Sequence, residues 1–196
     1  MTKQNVRGRI IKSLGGFYYV ADSEQKGNII ECRARGAFRQ QNVKPCVGDW
    51  AQVELTPQGK GYVVEIEERK NSLVRPPLAN LDQLVLVVSI ADPAPNAFVL
   101  DKLIAIAEYQ EIEPIIVITK CDLADPEEFA QIYRKAGFTV LETKSLQHEG
   151  IESVMEILKD KTSAFCGNSG AGKSTLLNAI DPRLSLDTGD ISQKLG

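Results

Sequence analysis

Apolar residues in the first third of the chain come in short runs that alternate with polar positions. Glycine, proline, asparagine and aspartate separate these runs, which is typical of β-strands joined by tight turns. The pattern predicts five strands, at residues 6–11, 17–20, 29–33, 50–55 and 62–66. Five short strands fit an OB-type β-barrel, and they fit an SH3-like barrel as well.

The rhythm changes at Leu81, where continuous apolar runs begin to alternate with segments of helical spacing. Strands are predicted at residues 84–89, 115–118, 138–141 and 163–166, and the first has the all-apolar character of a strand buried on both faces. Apolar residues three or four positions apart predict helices at 98–109, 126–136, 150–158 and 172–180. Repeated strand–helix units predict a parallel sheet flanked by helices.

A proline-containing segment, residues 69–80, lies between these two regions. Pro76 and Pro77 remove backbone donors and fix φ, so the segment is expected to be extended. The expected organisation is all-β plus α/β, with a barrel over residues 1–68, a linker over 69–80 and a parallel-sheet domain over 81–196.

Composition excludes a fibrous or wholly disordered chain, because 43% of the residues are hydrophobic and 25% are charged. The length of 196 residues allows one large domain or two small ones. The net charge of −3 hides an asymmetry: residues 1–75 carry 13 Lys and Arg against 8 Asp and Glu, and residues 76–196 carry 10 against 18. The basic half has a candidate RNA-binding cluster consisting of Arg33, Arg35, Arg39 and Lys44.

The four cysteines form no C-x-x-C pair, and His148 is the only histidine, so no zinc site of familiar spacing is present. His148 lies in a polar, loop-like segment and is interpreted as an exposed loop residue. The N-terminus has no apolar core of signal-peptide length, and no apolar run approaches the ~20 residues of a membrane span. We therefore expect a cytoplasmic protein without a membrane partner.

The strongest chemical signal is the sequence GNSGAGKS at residues 167–174, which fits the Walker A pattern between a predicted strand and a predicted helix. Glycines let successive backbone N–H groups surround a phosphate, and the helix N-terminus favours the anion. Lys173 is expected to reach the β- and γ-phosphates, and the Ser174 hydroxyl to bind Mg²⁺. The candidate nucleotide-binding residues are Gly167, Asn168, Ser169, Gly170, Ala171, Gly172, Lys173, Ser174 and Thr175.

A second signal, Thr119-Lys120-Cys121-Asp122, follows a predicted buried strand, where ligands of parallel sheets bind. A buried Asp122 carboxylate could accept hydrogen bonds from guanine N1–H and from its exocyclic amine, a pair that adenine does not present. Lys120 would pack its stem along the base or brace the phosphate loop. After the next strand, a backbone N–H in Thr143-Lys144-Ser145 could meet guanine O6, with Ser145 as the candidate residue, although a solvated loop fits that segment nearly as well.

Asp122 precedes Lys173, whereas most GTPases carry the phosphate loop first, so the order is that of a circular permutation. With this order, the chain resembles the RsgA (YjeQ/YloQ) family of circularly permuted GTPases over essentially all 196 residues. Besides the nucleotide motifs, the resemblance rests on Arg35-Gly36, Val47-Gly48-Asp49, the segment RKNSLVRP at 69–76, and Asn80-Leu81-Asp82-Gln83.

The resemblance implies an OB-fold domain that contacts ribosomal RNA and a GTPase domain stimulated by the small ribosomal subunit during its late maturation. It also implies GTP or GDP with Mg²⁺ as ligands and a C-terminal domain that binds Zn²⁺. We expect a monomer. Two positions depart from the family pattern: Thr119 replaces the usual Asn, and Lys144-Ser145 aligns with the usual Ser-Ala.

The residues after Asp187 lead towards the family's first switch, but the sequence stops at Gly196. No aspartate has a glycine three positions later, and the zinc-domain cysteines and histidine are absent. The catalytic residues are therefore unknown, and this polypeptide is expected to bind guanine nucleotide at best, whereas the intact protein is expected to hydrolyse GTP. Two other interpretations remain: an ATP-using P-loop enzyme, and an RNA-binding module whose α/β part is a scaffold.

Overall fold

The computed structural model describes residues 5–35, 38, 44–57 and 59–188. The chain divides into two units, residues 1–81 and 82–196. Among the described residues, no helix is both long and apolar enough to cross a membrane.

The first unit is a closed β-barrel. Its strands follow one another around the barrel in the order β1-β2-β3-β5-β4, and β3 and β5 pair in parallel while the other pairs are antiparallel. The five strands are β1 (Asn5–Leu14), β2 (Phe17–Asp22), β3 (Ile29–Ala34), β4 (Trp50–Leu55) and β5 (Gly61–Ile66). The five predicted strands are confirmed, and the strand order is that of an OB-type barrel.

Alternation along the strands fills the barrel, because successive side chains of a strand point to opposite faces. In β2, Tyr18 and Val20 are buried, whereas Phe17 and Tyr19 are only half-buried. The interior is formed by Ile10, Tyr18, Val20, Ile30, Cys32, Phe38, Ala51, Val53 and Val63. Because the sheet closes on itself around this apolar interior, the barrel has no free strand edge.

The segment predicted as an extended linker folds onto the barrel unit. Two short antiparallel strands, β6 (Ser72–Leu73) and β7 (Leu78–Ala79), pair within it. Two buried asparagines hold its ends: Asn71 exchanges side-chain hydrogen bonds of 2.8 Å with the backbone of Leu81, and the Asn80 amide donates to the Gly48 carbonyl at 3.0 Å. The polar residues around the proline pair therefore serve as backbone anchors.

A buried ion pair fastens the start of this segment to the loop before β4. The Asp49 carboxylate is fully buried and accepts two hydrogen bonds from the Arg69 guanidinium, at 2.7 and 2.8 Å. The backbone N–H of Cys46 donates a third at 2.8 Å, and Arg69 also donates to the Lys44 carbonyl at 2.9 Å. The pair thus fixes the loop that carries Lys44.

The second unit is a four-stranded parallel sheet in the order β10-β9-β8-β11. Its strands are β8 (Gln83–Ser89), β9 (Glu113–Thr119), β10 (Thr139–Glu142) and β11 (Ser163–Cys166). The helices are α1 (Ala97–Tyr109), α2 (Glu127–Lys135), α3 (Ile151–Leu158) and α4 (Lys173–Ile180). All four predicted strands and all four predicted helices are confirmed, with ends that differ by one or two residues.

Chain order and sheet order differ at one place, which positions the loops. The chain runs from β8 to β9 to β10 on one side, and β11 then returns to the opposite side of β8. Val85 and Val87 of β8 pack with Val154 of α3 and Leu176 of α4 in one apolar cluster, whereas α1 packs on β8 and β9. The reversal creates a crevice at the carboxyl ends of β8 and β11, the usual ligand position in such sheets.

We expect the Arg69→Ala substitution to lower the free energy of unfolding of the barrel unit by about 2–3 kcal/mol, because it leaves the buried Asp49 carboxylate without its cation. This loss of unfolding free energy is smaller than the loss expected for a fully buried ion pair, because the Arg69 side chain keeps 28% of its surface exposed. Urea unfolding followed by Trp50 fluorescence measures the change.

The control for this experiment is Lys60→Ala, which breaks an exposed ion pair with Glu31 in the same barrel. Exposed pairs contribute less than about 1 kcal/mol, so the control should unfold almost as the wild type does. Equal unfolding midpoints for the two variants would contradict the anchoring role of Arg69.

Candidate nucleotide-binding site

Parallel pairing brings the predicted motifs to one edge of the sheet. In the register of the sheet, Thr119 at the end of β9 lies beside Ser89 at the end of β8, and Cys166 at the end of β11 lies beside Leu86. The Walker A loop follows β11, the segment Lys120-Cys121-Asp122 follows β9, and the loop with Ser145 follows β10. Three loops that are far apart in sequence therefore meet at this edge.

The Walker A loop lies close against the sheet. A Cβ atom on Gly167 would meet the Val87 carbonyl oxygen at 2.2 Å, so only glycine allows this approach. Ala171 is buried in the core cluster with Val85 and Leu176, whereas Asn168 and Ser169 are exposed. The loop is thus anchored at both ends, and its middle faces solvent.

Lys173 and the start of α4 prepare this loop for an anion. The Lys173 ammonium donates to the carbonyls of Gly167 and Asn168, both at 2.7 Å, and folds back over the loop. Gly172 precedes the helix with a φ of 84°, a left-handed conformation that glycine adopts without strain. Among the described residues, no side chain caps α4, so its first N–H groups are available to a ligand.

The end of β9 and the Walker A loop are joined by a hydrogen bond. The buried Thr119 hydroxyl donates to the Ala171 carbonyl at 2.7 Å, and it lies 3.4 Å from the Val88 carbonyl. Thr119 is the residue that departs from the family's usual Asn, and its side chain contacts the phosphate loop rather than solvent.

Lys120 and Asp122 differ in how far they are fixed. Lys120 has a φ of 60°, and its ammonium donates to the Asp92 carbonyl in the loop after β8. The Asp122 side chain is exposed and has no hydrogen-bond donor among the described residues. The expectation of a buried Asp122 carboxylate is therefore not met in this structure.

The loop after β10 packs against the loop after β9. The Thr143 N–H donates to the Ile118 carbonyl at 2.8 Å, and the Cys121 N–H donates to the Thr143 carbonyl at 3.3 Å. Ser145 begins a 3₁₀ turn that contacts α4, and its buried hydroxyl has no partner among the described residues. The Lys144 ammonium is paired with Glu149 at 2.5 Å, which raises the pKa of Lys144. The third motif is therefore a folded turn.

Three of the cysteines are poor nucleophiles. Burial raises the pKa of Cys32 to about 12 and that of Cys46 to about 11. Burial also raises the pKa of Cys121, although a backbone hydrogen bond from Thr143 acts in the opposite direction. Because the thiolate is the reactive form, these three residues are unsuited to covalent catalysis near neutral pH. Among the described residues, no cluster of three His, Cys, Asp or Glu side chains could hold a metal ion.

The candidate RNA-binding cations lie on the barrel unit and are not equivalent. Arg33 is exposed, with its guanidinium 4.6 Å from the centre of the Phe17 ring, and Arg35 is paired with Glu54 at 2.6 Å. Arg33, Arg35 and Lys44 line one groove of the barrel. Arg39 lies outside the described residues.

Sequence reasoning missed the two backbone partners at this edge. Thr119 binds the Ala171 carbonyl, and Lys120 binds the Asp92 carbonyl. No sequence motif marks either acceptor, because every residue carries a carbonyl. Only the parallel register, which brings β8, β9 and β11 together, could have suggested them.

Comparisons with known proteins match both units of the chain to one family. A family model described as RsgA GTPase matches residues 66–196, and one described as RsgA N-terminal domain matches residues 7–63. Curated relatives named small ribosomal subunit biogenesis GTPase RsgA are 46% identical over 196 residues in Caldanaerobacter subterraneus and 43% identical over 197 residues in Bacillus subtilis. These alignments cover 98% and 96% of this chain.

Two solved structures share the fold. YjeQ from Thermotoga maritima matches with a TM-score of 0.81 and 36% identity over 91% of this chain, and YloQ, a circularly permuted GTPase, with 0.77 and 40% over 92%. Both matches cover 66% of the other chain. This chain likewise spans 65% of the Caldanaerobacter relative and 66% of the Bacillus one, about two thirds of their length. With family models over both units and relatives above 40% identity, the chain belongs to the RsgA family of circularly permuted GTPases.

Proposed function

We propose that this chain carries the guanine-nucleotide site of a GTPase that acts in biogenesis of the small ribosomal subunit. The proposal rests on one observation. The Walker A loop and the Thr119–Asp122 motif meet at one sheet edge, where a hydrogen bond joins them. The names of the relatives, small ribosomal subunit biogenesis GTPase RsgA, support the same activity for the intact protein.

The phosphates would lie in the Walker A loop, between the N–H groups of its backbone and the Lys173 ammonium. Lys173 already lies over the loop, held by two carbonyls, so binding would require little rearrangement of its side chain. Residues Gly167 to Thr175 thus form the proposed phosphate site, and Lys173 supplies its positive charge.

Mg²⁺ fits the chemistry of this loop through Ser174. The Ser174 hydroxyl is half-buried in the first turn of α4 and makes no hydrogen bond among the described residues. One protein hydroxyl suffices because Mg²⁺ keeps several waters and takes its other ligands from nucleotide phosphates. When bound, the ion would neutralise phosphate charge, while Lys173 and the backbone N–H groups orient the phosphates.

The base would be recognised by Asp122, with its two carboxylate oxygens facing guanine N1–H and the exocyclic amine. The exposure of Asp122 supports a role in binding, since a carboxylate that accepts no hydrogen bond from the described residues remains available to a ligand. The stem of Lys120 and the backbone of Cys121 would line the base, and the Ser145 N–H would face O6.

GTP hydrolysis and its stimulation by the small subunit are proposed for the intact protein. Phosphoryl transfer depends on groups that position water and stabilise charge, and this sequence contains no Asp-x-x-Gly motif. We therefore propose nucleotide binding with little or no hydrolysis for residues 1–196. The Zn²⁺-binding domain, the monomeric state and the cytoplasmic location are proposed for the whole protein on the family resemblance.

Ribosomal RNA would contact the barrel, proposed as residues 1–68, which a linker over 69–80 joins to the nucleotide-binding domain at 81–196. Arg33 and Lys44 support this role because neither is paired with a carboxylate among the described residues and both line one groove. Arg35 and Arg39 complete the proposed cluster. An ATP-using P-loop enzyme is disfavoured, because adenine lacks the donor pair that Asp122 would bind.

We expect Asp122→Asn to abolish detectable GDP binding and to create binding of xanthosine diphosphate. Xanthine carries a carbonyl where guanine has its amine, and the amide of Asn can donate to it. Losing hydrogen bonds to a charged acceptor weakens binding by at least 10²-fold. Isothermal titration with GDP, XDP and ADP measures the change.

The control for this experiment is Asp125→Asn, which makes the same change three residues later. The Asp125 carboxylate accepts a hydrogen bond from the N–H of Glu127, the first residue of α2, so the control should keep GDP binding. An unaltered base preference in Asp122→Asn, or tighter binding of ADP than of GDP by the wild type, would argue for the ATP-using enzyme instead.

We expect the double substitution Arg33→Ala/Lys44→Ala to weaken binding of single-stranded ribosomal RNA fragments and to reduce the dependence of log K on log salt by about 1.4, or about 0.7 for each lost phosphate contact. Fluorescence anisotropy at several salt concentrations measures the slope. The control is Lys161→Ala, which removes an ammonium that is paired with Glu113. The control should give the wild-type slope. If the double variant gives it too, this groove does not contact phosphate.

A further inference from the structure

A short turn joins β6 to β7 and is exposed along its whole length. It consists of residues 74–77, and we call it the hairpin tip. Val74 at its start is 85% exposed, more than any other large apolar side chain among the described residues. Single exposed apolar residues are common in proteins, so exposure alone assigns no role to the tip. Its anchoring and its charge carry the argument further.

The base of this hairpin is held by side chains from outside its own strands. The ladder of β6 and β7 has only two residue pairs, too few to be stable by itself. Asn71 exchanges two hydrogen bonds with the backbone of Leu81, and the Asn80 amide donates to the Gly48 carbonyl. A Cβ on Gly48 would lie 2.0 Å from the Ala79 carbonyl oxygen, so the base also packs directly on the barrel. The tip is therefore an exposed turn on an anchored base.

The segment that contains the tip is basic. Residues 69–81 include Arg69, Lys70 and Arg75 and contain no Asp or Glu. Arg69 is neutralised by Asp49, whereas Arg75 is exposed and has no ion pair or hydrogen bond among the described residues. Arg69 also donates to the carbonyl of Lys44, a residue that lines the groove proposed to contact RNA. The segment with the available cation is thus fastened to a loop of that groove.

Two prolines leave the tip with hydrogen-bond acceptors and few donors. Proline has no N–H, so the peptide groups before Pro76 and before Pro77 carry only a carbonyl. Neither of these carbonyls accepts a hydrogen bond within the part of the chain that the structure describes. A fitting partner would bring an anion to Arg75, hydroxyl donors to the carbonyls and a carbon surface to Val74. RNA has all three, as phosphate, 2′-hydroxyl and ribose.

We propose that the hairpin tip binds the minor groove of double-stranded RNA, with Arg75 on a phosphate and Val74 on the ribose edges. The inference rests on the proposed RNA-binding role of the barrel unit and adds a second contact to the groove of Arg33 and Lys44. A duplex fits better than a single strand, because the tip has no aromatic side chain on which an unpaired base could stack. The minor groove of A-form RNA is wide and shallow and displays its 2′-hydroxyls.

The decisive test measures binding of an RNA duplex of about 16 base pairs by fluorescence anisotropy at several salt concentrations. Arg75→Ala should weaken binding about tenfold and reduce the dependence of log K on log salt by about 0.9, the change for one lost phosphate contact. Val74→Ser should weaken binding about threefold at an unchanged slope, because it removes apolar contact and no charge. Val74→Ile, which keeps the apolar surface, should bind as the wild type does.

The matched control is Lys26→Ala, which removes an exposed cation between β2 and β3 of the same barrel unit. It should keep the wild-type affinity and slope, and a loss equal to that of Arg75→Ala would show an effect of net charge alone and overturn the inference. On a DNA duplex of the same sequence, which lacks 2′-hydroxyls, Arg75→Ala and the wild type should bind equally.

The outcomes separate the inference from the function on which it rests. Wild-type binding of the RNA duplex by Arg75→Ala, or a greater loss on single-stranded RNA than on the duplex, would overturn the role of the tip. The groove would still stand on the result for Arg33→Ala/Lys44→Ala. If the wild type bound neither form of RNA, the proposed RNA-binding role would fail with it. Urea unfolding followed by Trp50 fluorescence should give the same midpoint for every tip variant, because the turn lies outside the core.

Discussion

Parallel strand pairing is the constraint on which the candidate site depends. In a parallel sheet all carboxyl ends lie at one edge, so the loops after β9, β10 and β11 must meet whatever their order along the chain. The reversal between β8 and β11 then opens a crevice where the Walker A loop begins. Because register, and not sequence order, brings these loops together, the segment Thr119–Asp122 can precede the Walker A loop and still meet it at the same edge.

The two halves of the site are fixed to different degrees before a ligand binds. On the phosphate side, Gly167 lies against Val87, Ala171 is buried in the core, and Lys173 is held by two carbonyls. On the base side, the Asp122 carboxylate is exposed and accepts no hydrogen bond from the described residues. Preorganised groups cost little entropy on binding, whereas ordering a mobile side chain costs about 0.5–1.5 kcal/mol. In the proposed function, phosphate binding would therefore supply affinity and Asp122 would supply selectivity.

Sequence patterns predicted the elements well because their signals are local. Alternating and continuous apolar runs gave nine strands, helical spacing gave four helices, and the Walker A loop was recognisable from its own residues. The contacts that tie distant segments together were not predictable in the same way. Thr119 and Ala171 are 52 positions apart, and Arg69 and Asp49 are 20 apart, so neither pair leaves a local pattern. The pairing inside 69–80 was also missed, because two-residue strands are too short to show a period.

The ion pairing of individual cations describes the barrel better than its net charge does. The excess of basic residues in 1–75 counts every cation equally, although Arg7, Arg35 and Lys60 are bonded to Glu67, Glu54 and Glu31. A cation already paired with a carboxylate gains less from a phosphate, because the existing bond must first be lost. Arg33, over the ring of Phe17, and Lys44, on the loop fixed by Asp49, have no such competitor among the described residues. Affinity of the groove for a polyanion should therefore depend more on these two side chains than on the excess of positive charge.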